Sequence, residues 1–574
     1  MKPTESLKQA HQLFQQAQYR PAEEILLALL RDEPDQVQAQ HLLGSVAAAQ
    51  LRFDEAALVW QRALRTLAEH APEAVAMRYK LGRAFFELGR HEDAFLLFRG
   101  LLESGQQRPE IFLAAAAALQ ALAPSGRNDG QALQLIEQAL ALQPDAADAW
   151  HRKAMLQERA RQFDDARHSM AQALRLQGQR ADYWLDAGLI EHAAGAYEDA
   201  LRYFDEALIV DPELADAHVS RGTSLARLRQ YDEAIDSYRR ALRKAPGDAD
   251  AKVNLALSLL VLGQWQEALP LYEWRWEGRG ADPYRHADIP AWNGATSLHG
   301  RRILLWAEQG HGDTIQFSRY VQQMVQAGAQ VVLEVPASLH ALMRTLPSAA
   351  AIDIIRTGDP LPAVELQLPL MSLPLVCNTQ FDQIPAAPAY LQVEPTRRAA
   401  WQARIDALSP SGQRRRRVGV VCSGNAGNTN DRRRSIALER FDTLAQARQD
   451  VDFFVIQPDL RSADQQWLQG RSRWYWVGDG IADFADTAAA LDCMDLLVTV
   501  DTAAAHLGGA LGMPVWIALP FAPDWRWLLN RFESPWYPSV RLFRQQQAGQ
   551  WDDTLRALRA ALAVWTPGTV KPSR

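Results

Sequence analysis

Cysteine is scarce: Cys377, Cys422 and Cys493 are the only three in 574 residues. They are odd in number, far apart and set among apolar neighbours. That excludes a disulfide framework and predicts buried thiols in a reducing compartment. No His or Cys spacing suits zinc. No run of about 18 apolar residues occurs, so no membrane-spanning helix is expected. The opening MKPTESLKQAHQLFQQAQY lacks the apolar core of a secretory signal. Basic residues are not in excess either: Lys and Arg number 61 against 68 Asp and Glu, a net charge of −7, which carries no nucleic-acid signature. Together these absences predict a cytoplasmic protein. What remains is an ordinary globular composition, 48% hydrophobic and 22% charged, in a chain long enough for about two to four domains.

The first half repeats itself. Ala22, Ala56, Ala94, Ala132, Ala166, Ala200, Ala234 and Ala268 recur at steps of 34 or 38 residues. Gly188, Gly222 and Ala256 keep the same step, as do Phe204, Tyr238 and Tyr272, and Pro144, Pro212 and Pro246 close units. Each unit reads as helix, tight turn, helix, with small residues that let paired helices approach and an aromatic residue one turn after the alanine to fill the gap. The pattern resembles the tetratricopeptide repeat, in about eight units within residues 1–277. Such an array implies a groove for a protein partner, against the plainer alternatives of a spacer or a self-association surface. Residues 278–300, rich in Gly, Pro and polar side chains, read as a linker packed against the next domain.

Beyond the linker the period changes. Short apolar runs alternate with amphipathic helical stretches, the pattern of parallel α/β sheets. Strands are expected at RRILLW, QVVLEV, AIDIIR and VELQLPL, then at VGVVCSG, VDFFVIQ, RWYWVG, DLLVTVD and PVWIALP. The helical stretch TIQFSRYVQQMVQAGA comes after the first of them. The reading is two doubly wound lobes, 301–395 and 396–574, facing each other across a cleft lined by strand ends. Arg414 to Arg417 fall in the joint and read as a solvated charge run.

Three constellations could carry chemistry. Glu308-Gln309-Gly310-His311-Gly312-Asp313-Thr314 sits at a strand end; Gly310 and Gly312 permit a close approach, and Asp313 is either a general base or a helix N-cap. Asp501-Thr502-Ala503-Ala504-Ala505-His506 opens a helix after a buried strand. Its free amides suit a diphosphate, while Asp501 or Thr502 as a plain cap, and His506 as a structural residue, are the alternatives. The third runs from Ser423, Gly424 and Asn425 to Arg432-Arg433-Arg434-Ser435, where arginine suits bidentate phosphate contact. Weaker candidates for base or sugar contact are Gln457, Phe484, Trp525 and Arg526. The last two, with Trp527, belong to the aromatic tract FAPDWRWLLNRFESPWYPSVRLFRQ, for which an aromatic cap on the lobe interface is the alternative. Asp248 and Asp250 have the spacing of a metal-binding aspartate pair but fall in a repeat turn.

Over most of residues 301–564 these constellations resemble the heptosyltransferase-like family of GT-B glycosyltransferases. The layout, repeats first, is similar to the tetratricopeptide-bearing protein O-glycosyltransferases, including bacterial fusions associated with flagellin. The resemblance implies that Asp313, after Gly312, is the base, that Asp501, Thr502 and His506 hold the donor diphosphate, and that Arg434 stands where the family often has lysine. Ala503 stands where glycine is frequent. The implied reaction is metal- and cofactor-independent, inverting transfer of a sugar from a nucleotide donor to a hydroxyl of a protein acceptor. Competing readings are a repeat scaffold with a degenerate transferase half, and a transferase acting on a lipopolysaccharide-type glycan.

Overall fold

The computed structural model describes residues 3–68, 71–308, 310–385, 389–409, 415–425, 427 and 430–566. The chain forms two compact units, Met1–Ser220 and Arg221–Arg574. Sixteen helices, from Pro3–Gln15 to Trp265–Tyr272, make eight pairs. All eight alanines of the periodic series have no solvent exposure. In four of the pairs a glycine lies under an aromatic ring sixteen positions later. A Cβ added at Gly82 would lie 2.6 Å from Phe98 Cε1, and one at Gly222 would lie 2.6 Å from Tyr238 Cε1. Gly44 with Trp60 and Gly188 with Phe204 repeat the arrangement. Gly82→Val is therefore expected to destabilise the first unit by about 1–3 kcal/mol through overpacking. Gly100→Ala, on the second helix of the same repeat with open space around it, should gain about 0.5–1 kcal/mol from helix propensity. Urea unfolding of the two variants reads both signs.

In the second unit the last repeats are continuous with the α/β part. Trp265 stacks on Trp536 at 5.4 Å, and Arg275, in the turn Glu273–Trp276, donates twice to Glu308 at 2.9 Å. The segment after the repeats lies along the edge of the first sheet: Trp292 N–H donates to the Gln367 carbonyl at 2.9 Å.

The first sheet contains β1 (Arg302–Trp306), β2 (Gln330–Val335), β3 (Asp353–Arg356) and β4 (Leu366–Pro369), all parallel, in the order β3-β2-β1-β4. The second contains β5 (Arg416–Val421), β6 (Val451–Val455), β7 (Trp474–Trp476), β8 (Leu496–Val500), β9 (Val515–Leu519) and β10 (Val540–Arg544), also parallel, in the order β10-β9-β8-β5-β6-β7. Numbered from its own first strand, that is the doubly wound order 3-2-1-4-5-6, and the first sheet has its 3-2-1-4 part. Central strands are fully buried, which explains their unbroken apolar runs.

Three expectations change. The stretch after β1 is two helices, His311–Phe317 and Val321–Gln326, separated by a 3₁₀ turn at Ser318–Tyr320. The buried Arg319 is the reason: its Nε donates to the Gln316 carbonyl, and Nη1 donates to the carbonyls of Pro385 and Trp536. A tenth strand, β10, lies inside the aromatic tract. Arg415 to Arg417 are not a free charge run, because Arg416 opens β5, Arg415 pairs with Asp452 at 2.8 Å, and Arg417 pairs with Asp406. Arg414 and Gln309 lie outside the described residues. Cys422 and Cys493 are buried and Cys377 is half-buried; burial pushes their thiols up to about 12, 11 and 11 respectively, so they stay protonated. No helix among the described residues is long and apolar enough to cross a membrane.

Candidate functional site

Two strand-to-helix turns meet where the sheets adjoin. After β1 the chain turns into the His311–Phe317 helix, with Gly310 at its N-cap. After β8 it turns into the Ala503–Ala510 helix, with Thr502 at its N-cap. The turns touch through small residues: a Cβ on Gly312 would lie 2.9 Å from His506 Cδ2 and 3.5 Å from Ala503 Cα. The Thr502 hydroxyl faces that of Thr499 at 3.2 Å and makes no cap bond, so it leaves the first amides of the helix without a side-chain acceptor.

Asp313 is not an N-cap. It is the third residue of its helix, and its Oδ1 accepts from Arg526 Nη2 at 2.7 Å. Arg526 is 6% exposed. Its Nε donates to Gln316 Oε1 at 2.7 Å and its Nη1 to Asp524 Oδ1 at 2.9 Å. Asp524 in turn caps the 3₁₀ turn Trp525–Trp527 that carries Arg526. Arg526 is thus turned inward as the clamp on Asp313. Burial raises the Asp313 carboxyl above its ordinary value and Asp524 adds to this, while Arg526 and Arg275 oppose it. A carboxyl raised in this way holds its proton more tightly than a free one.

Trp525 packs among Trp265 and Trp536 at 5.9 and 6.0 Å, as the aromatic-cap alternative has it. Trp527 stacks on His506 at 5.2 Å, and Tyr537 Oη lies 3.0 Å from His506 Nδ1. Burial, with Arg526 and Arg319 nearby, holds His506 well below its ordinary pKa. It is a neutral, packed ring rather than a cation turned to a cleft. Just after Trp527, Leu528 has φ +52° and ψ −167°. That costly backbone conformation for a branched residue fixes the end of the turn beneath the site.

On the second sheet Arg434 Nη1 donates to the backbone carbonyl of Asp501 at 2.9 Å, which brings the arginine loop to the β8 turn. Asp431, 3% exposed, organises that loop by accepting from Gly424 N at 3.0 Å and from Ser435 Oγ at 2.8 Å. Arg432 and Arg433 are exposed. Gln457 donates to Ser423 Oγ at 2.6 Å and to the Asp459 carbonyl at 2.8 Å. Asn425 is exposed and accepts from Gly427 N at 2.9 Å. Phe484 stacks on His311 at 5.0 Å, beside the first helix start. Asp248 caps the helix Ala249–Val261.

Asp313, Gly310, Gly312, Asp501, Thr502, Ala503, His506, Arg526 and Arg434 are therefore gathered together, whereas Ser423, Gln457 and Asn425 serve their own loops. Reading the sequence missed Asp524, Gln316 and Asp431. Only Asp524 had a local signal, an acidic residue just ahead of Trp-Arg-Trp.

Burial pushes Asp501 up to about 6, Asp524 adds to this, and the Trp527 N–H, Arg434 and Arg526 oppose it. A carboxyl raised in the folded state stabilises the fold fully below its unfolded value near 4, and that contribution is lost as pH rises through about 6. Asp501→Asn is thus expected to be neutral at pH 4 and to gain roughly 1–3 kcal/mol at pH 7 to 8. Denaturation across that range checks it.

The tetratricopeptide-repeat family matches residues 7–66, 60–109, 151–215 and 219–283. Protein FlbA of Caulobacter vibrioides is 27% identical over 292 residues, 47% of this chain and 48% of FlbA, so the chain spans about half the length of that curated relative. Among solved structures, a tetratricopeptide repeat protein from Parabacteroides merdae is 17% identical with a TM-score of 0.36, covering 45% of this chain and 98% of its own. The C-terminal part of a repeat protein from Cytophaga hutchinsonii is 13% identical with a TM-score of 0.37, covering 43% and 99%. The first 270 or so residues are tetratricopeptide repeats; a parallel-sheet α/β part comes after them.

Proposed function

We propose that the α/β part is a GT-B glycosyltransferase that moves a sugar from a nucleotide-sugar donor to a side-chain hydroxyl of a protein recruited by the repeats. Flagellin is the acceptor class the sequence resemblance implies. The observation that carries this reading is the meeting of Asp313, after β1, with the uncapped helix start at Thr502, after β8, at the carboxyl ends of two parallel sheets. Asp313 would take the acceptor proton. The amides after Thr502, with Arg434, would meet the leaving phosphate as its charge develops. A second reading, a repeat scaffold with a degenerate transferase half, is favoured by the internal contacts of Arg526 on Asp313 and of His506 on Trp527 and Tyr537.

A thermal-shift series with UDP, GDP, ADP, CMP and their sugar conjugates separates the two. A ligand at about 100 times its dissociation constant adds roughly 2.7 kcal/mol. A shift with one base, lost in Arg434→Ala, supports the transferase. No shift with any of them supports the scaffold.

A further inference from the structure

Four residues after each alanine of the periodic series stands the side chain that fills the gap between the paired helices. Seven of the eight, from Leu26 to Tyr238, are at most 2% exposed. Tyr272, four after Ala268, is the exception and is half-buried. The reason is steric. Trp60, Phe98, Phe204 and Tyr238 each lie over a glycine sixteen positions earlier, and a Cβ at Gly222 would come within 2.6 Å of the Tyr238 ring. Sixteen before Tyr272 stands Ala256, which carries that Cβ. Where alanine holds this place elsewhere, before Leu26 and Met170, the filling side chain is aliphatic. An aromatic ring does not fit a slot already narrowed by an alanine. The helix also stops early. Trp265–Tyr272 has Pro270 inside it and passes into the 3₁₀ turn Glu273–Trp276. Tyr197–Val210 and Tyr231–Lys244 instead run on past the matching rings. The packing of the repeat therefore does not demand Tyr272 as it demands its counterparts.

The ring turns instead to the α/β part. Arg275, which holds Glu308, lies over it at 4.9 Å from the ring centre. Burial pushes the Tyr272 hydroxyl well above its ordinary value; Arg275 and Arg526 oppose this, and Asp313 and Glu308 add to it. The hydroxyl thus keeps its proton and stands as a donor among the charges of the candidate site. The Tyr272 carbonyl accepts from Arg275 Nη1 at 3.3 Å, but the hydroxyl has no hydrogen-bond partner among the described residues. Asp313 is half used in the same way. Its Oδ1 accepts from Arg526, its Oδ2 meets no hydrogen-bond donor among the described residues, and the side chain is 29% exposed. A free donor and a free acceptor side by side suit an alcohol, which has a proton to give and lone pairs to receive. A lysine ammonium has protons only.

We propose that Tyr272 is an acceptor-binding residue of the transferase site: one hydroxyl of the acceptor donates to Asp313 Oδ2 and accepts from the Tyr272 hydroxyl. The proposal rests on the transferase reading above and adds to it the group that aims the acceptor oxygen. In the transfer, that oxygen bonds to the anomeric carbon as the bond from this carbon to the donor phosphate oxygen breaks. The acceptor proton passes to Asp313, and Tyr272 keeps its own.

The test is nucleotide release by the full chain from whichever of the UDP, GDP, ADP and CMP sugars stabilises it, with purified flagellin or water alone as acceptor. Tyr272→Phe keeps the ring and should lower turnover at least about tenfold, through lost orientation of the attacking oxygen. Its melting temperature and its thermal shift with the donor should match the wild type. Tyr238→Phe, in the preceding repeat and shut in its own slot, should turn over at the wild-type rate. In an Asp313→Asn background Tyr272→Phe should cost little more, because the two residues hold one hydroxyl. Wild-type turnover by Tyr272→Phe, equal loss with Tyr238→Phe, additive losses in the double variant, or a fall in melting temperature or donor shift that matches the lost turnover would each overturn the proposal and leave the transferase reading standing. No turnover by the wild type with either acceptor would overturn both.

Discussion

Arg526→Met is expected to destabilise residues 221–574 by about 3–5 kcal/mol at neutral pH, the range for breaking one side of a buried ion pair. The guanidinium is 8% exposed and holds Asp313 and Asp524, whose side chains are 29% and 39% exposed. That residual contact with water places the effect at the lower end of the range. Methionine fills most of the volume, so the loss is of charge more than of packing. The dependence on pH has a definite sign. Without Arg526 the Asp313 carboxyl rises further, and a raised carboxyl costs stability only where the unfolded chain would be ionised. The deficit should therefore be largest at pH 7 to 8 and close as pH falls toward 4. Asp313→Asn in the same background should restore part of it. A deficit of constant size across pH would mean instead that the stacking of Arg526 on Trp525 and Phe317, at 4.6 and 5.7 Å from the ring centres, is what was lost.

The second large effect is on the proposed sugar transfer. Asp313→Asn keeps the shape and a hydrogen-bond acceptor for Arg526 but cannot take a proton. It should lower sugar transfer about 10²–10⁴-fold, the ordinary contribution of a general base, and leave the thermal shift with the donor nucleotide intact. In the wild type the rate should climb with pH as the raised Asp313 carboxyl ionises and then level off. Donor hydrolysis or transfer, monitored with whichever nucleotide sugar stabilises the protein, measures both. Turnover within a few-fold of wild type would remove Asp313 from the chemistry and move weight to the scaffold reading.

How much of the molecule was legible in the sequence depends on the range of each interaction. The repeats were readable because Ala56 and Gly82 are dictated by partners a fixed, short distance along the chain, so the constraint recurs in register. Nine strands were readable because each centres on a short run rich in apolar residues, unbroken in the central strands that are covered on both faces. The tenth was not: β10 carries Arg541 and Arg544 and sits in a tract dominated by tryptophan. The break before Val321 was hidden because Arg319 reads as an ordinary helical residue until the carbonyls of Pro385 and Trp536 are seen to claim it. Asp313 and the Asp501–Thr502 turn could be singled out from strand-end position alone. Their environment could not, because Arg526 lies 213 residues from Asp313 and Tyr537 lies 31 residues from His506.

The last repeat does two jobs at once. Trp265 opens its second helix and Arg275 lies in the turn that follows it, yet they also wall in the aromatic cluster and neutralise Glu308. That couples the module to the α/β part as well as to the repeat before it. The terminal module is frozen: a deletion that removed it would strip the α/β part of its own tryptophan and arginine supports. The natural place to graft a different recognition array is ahead of that module rather than after it.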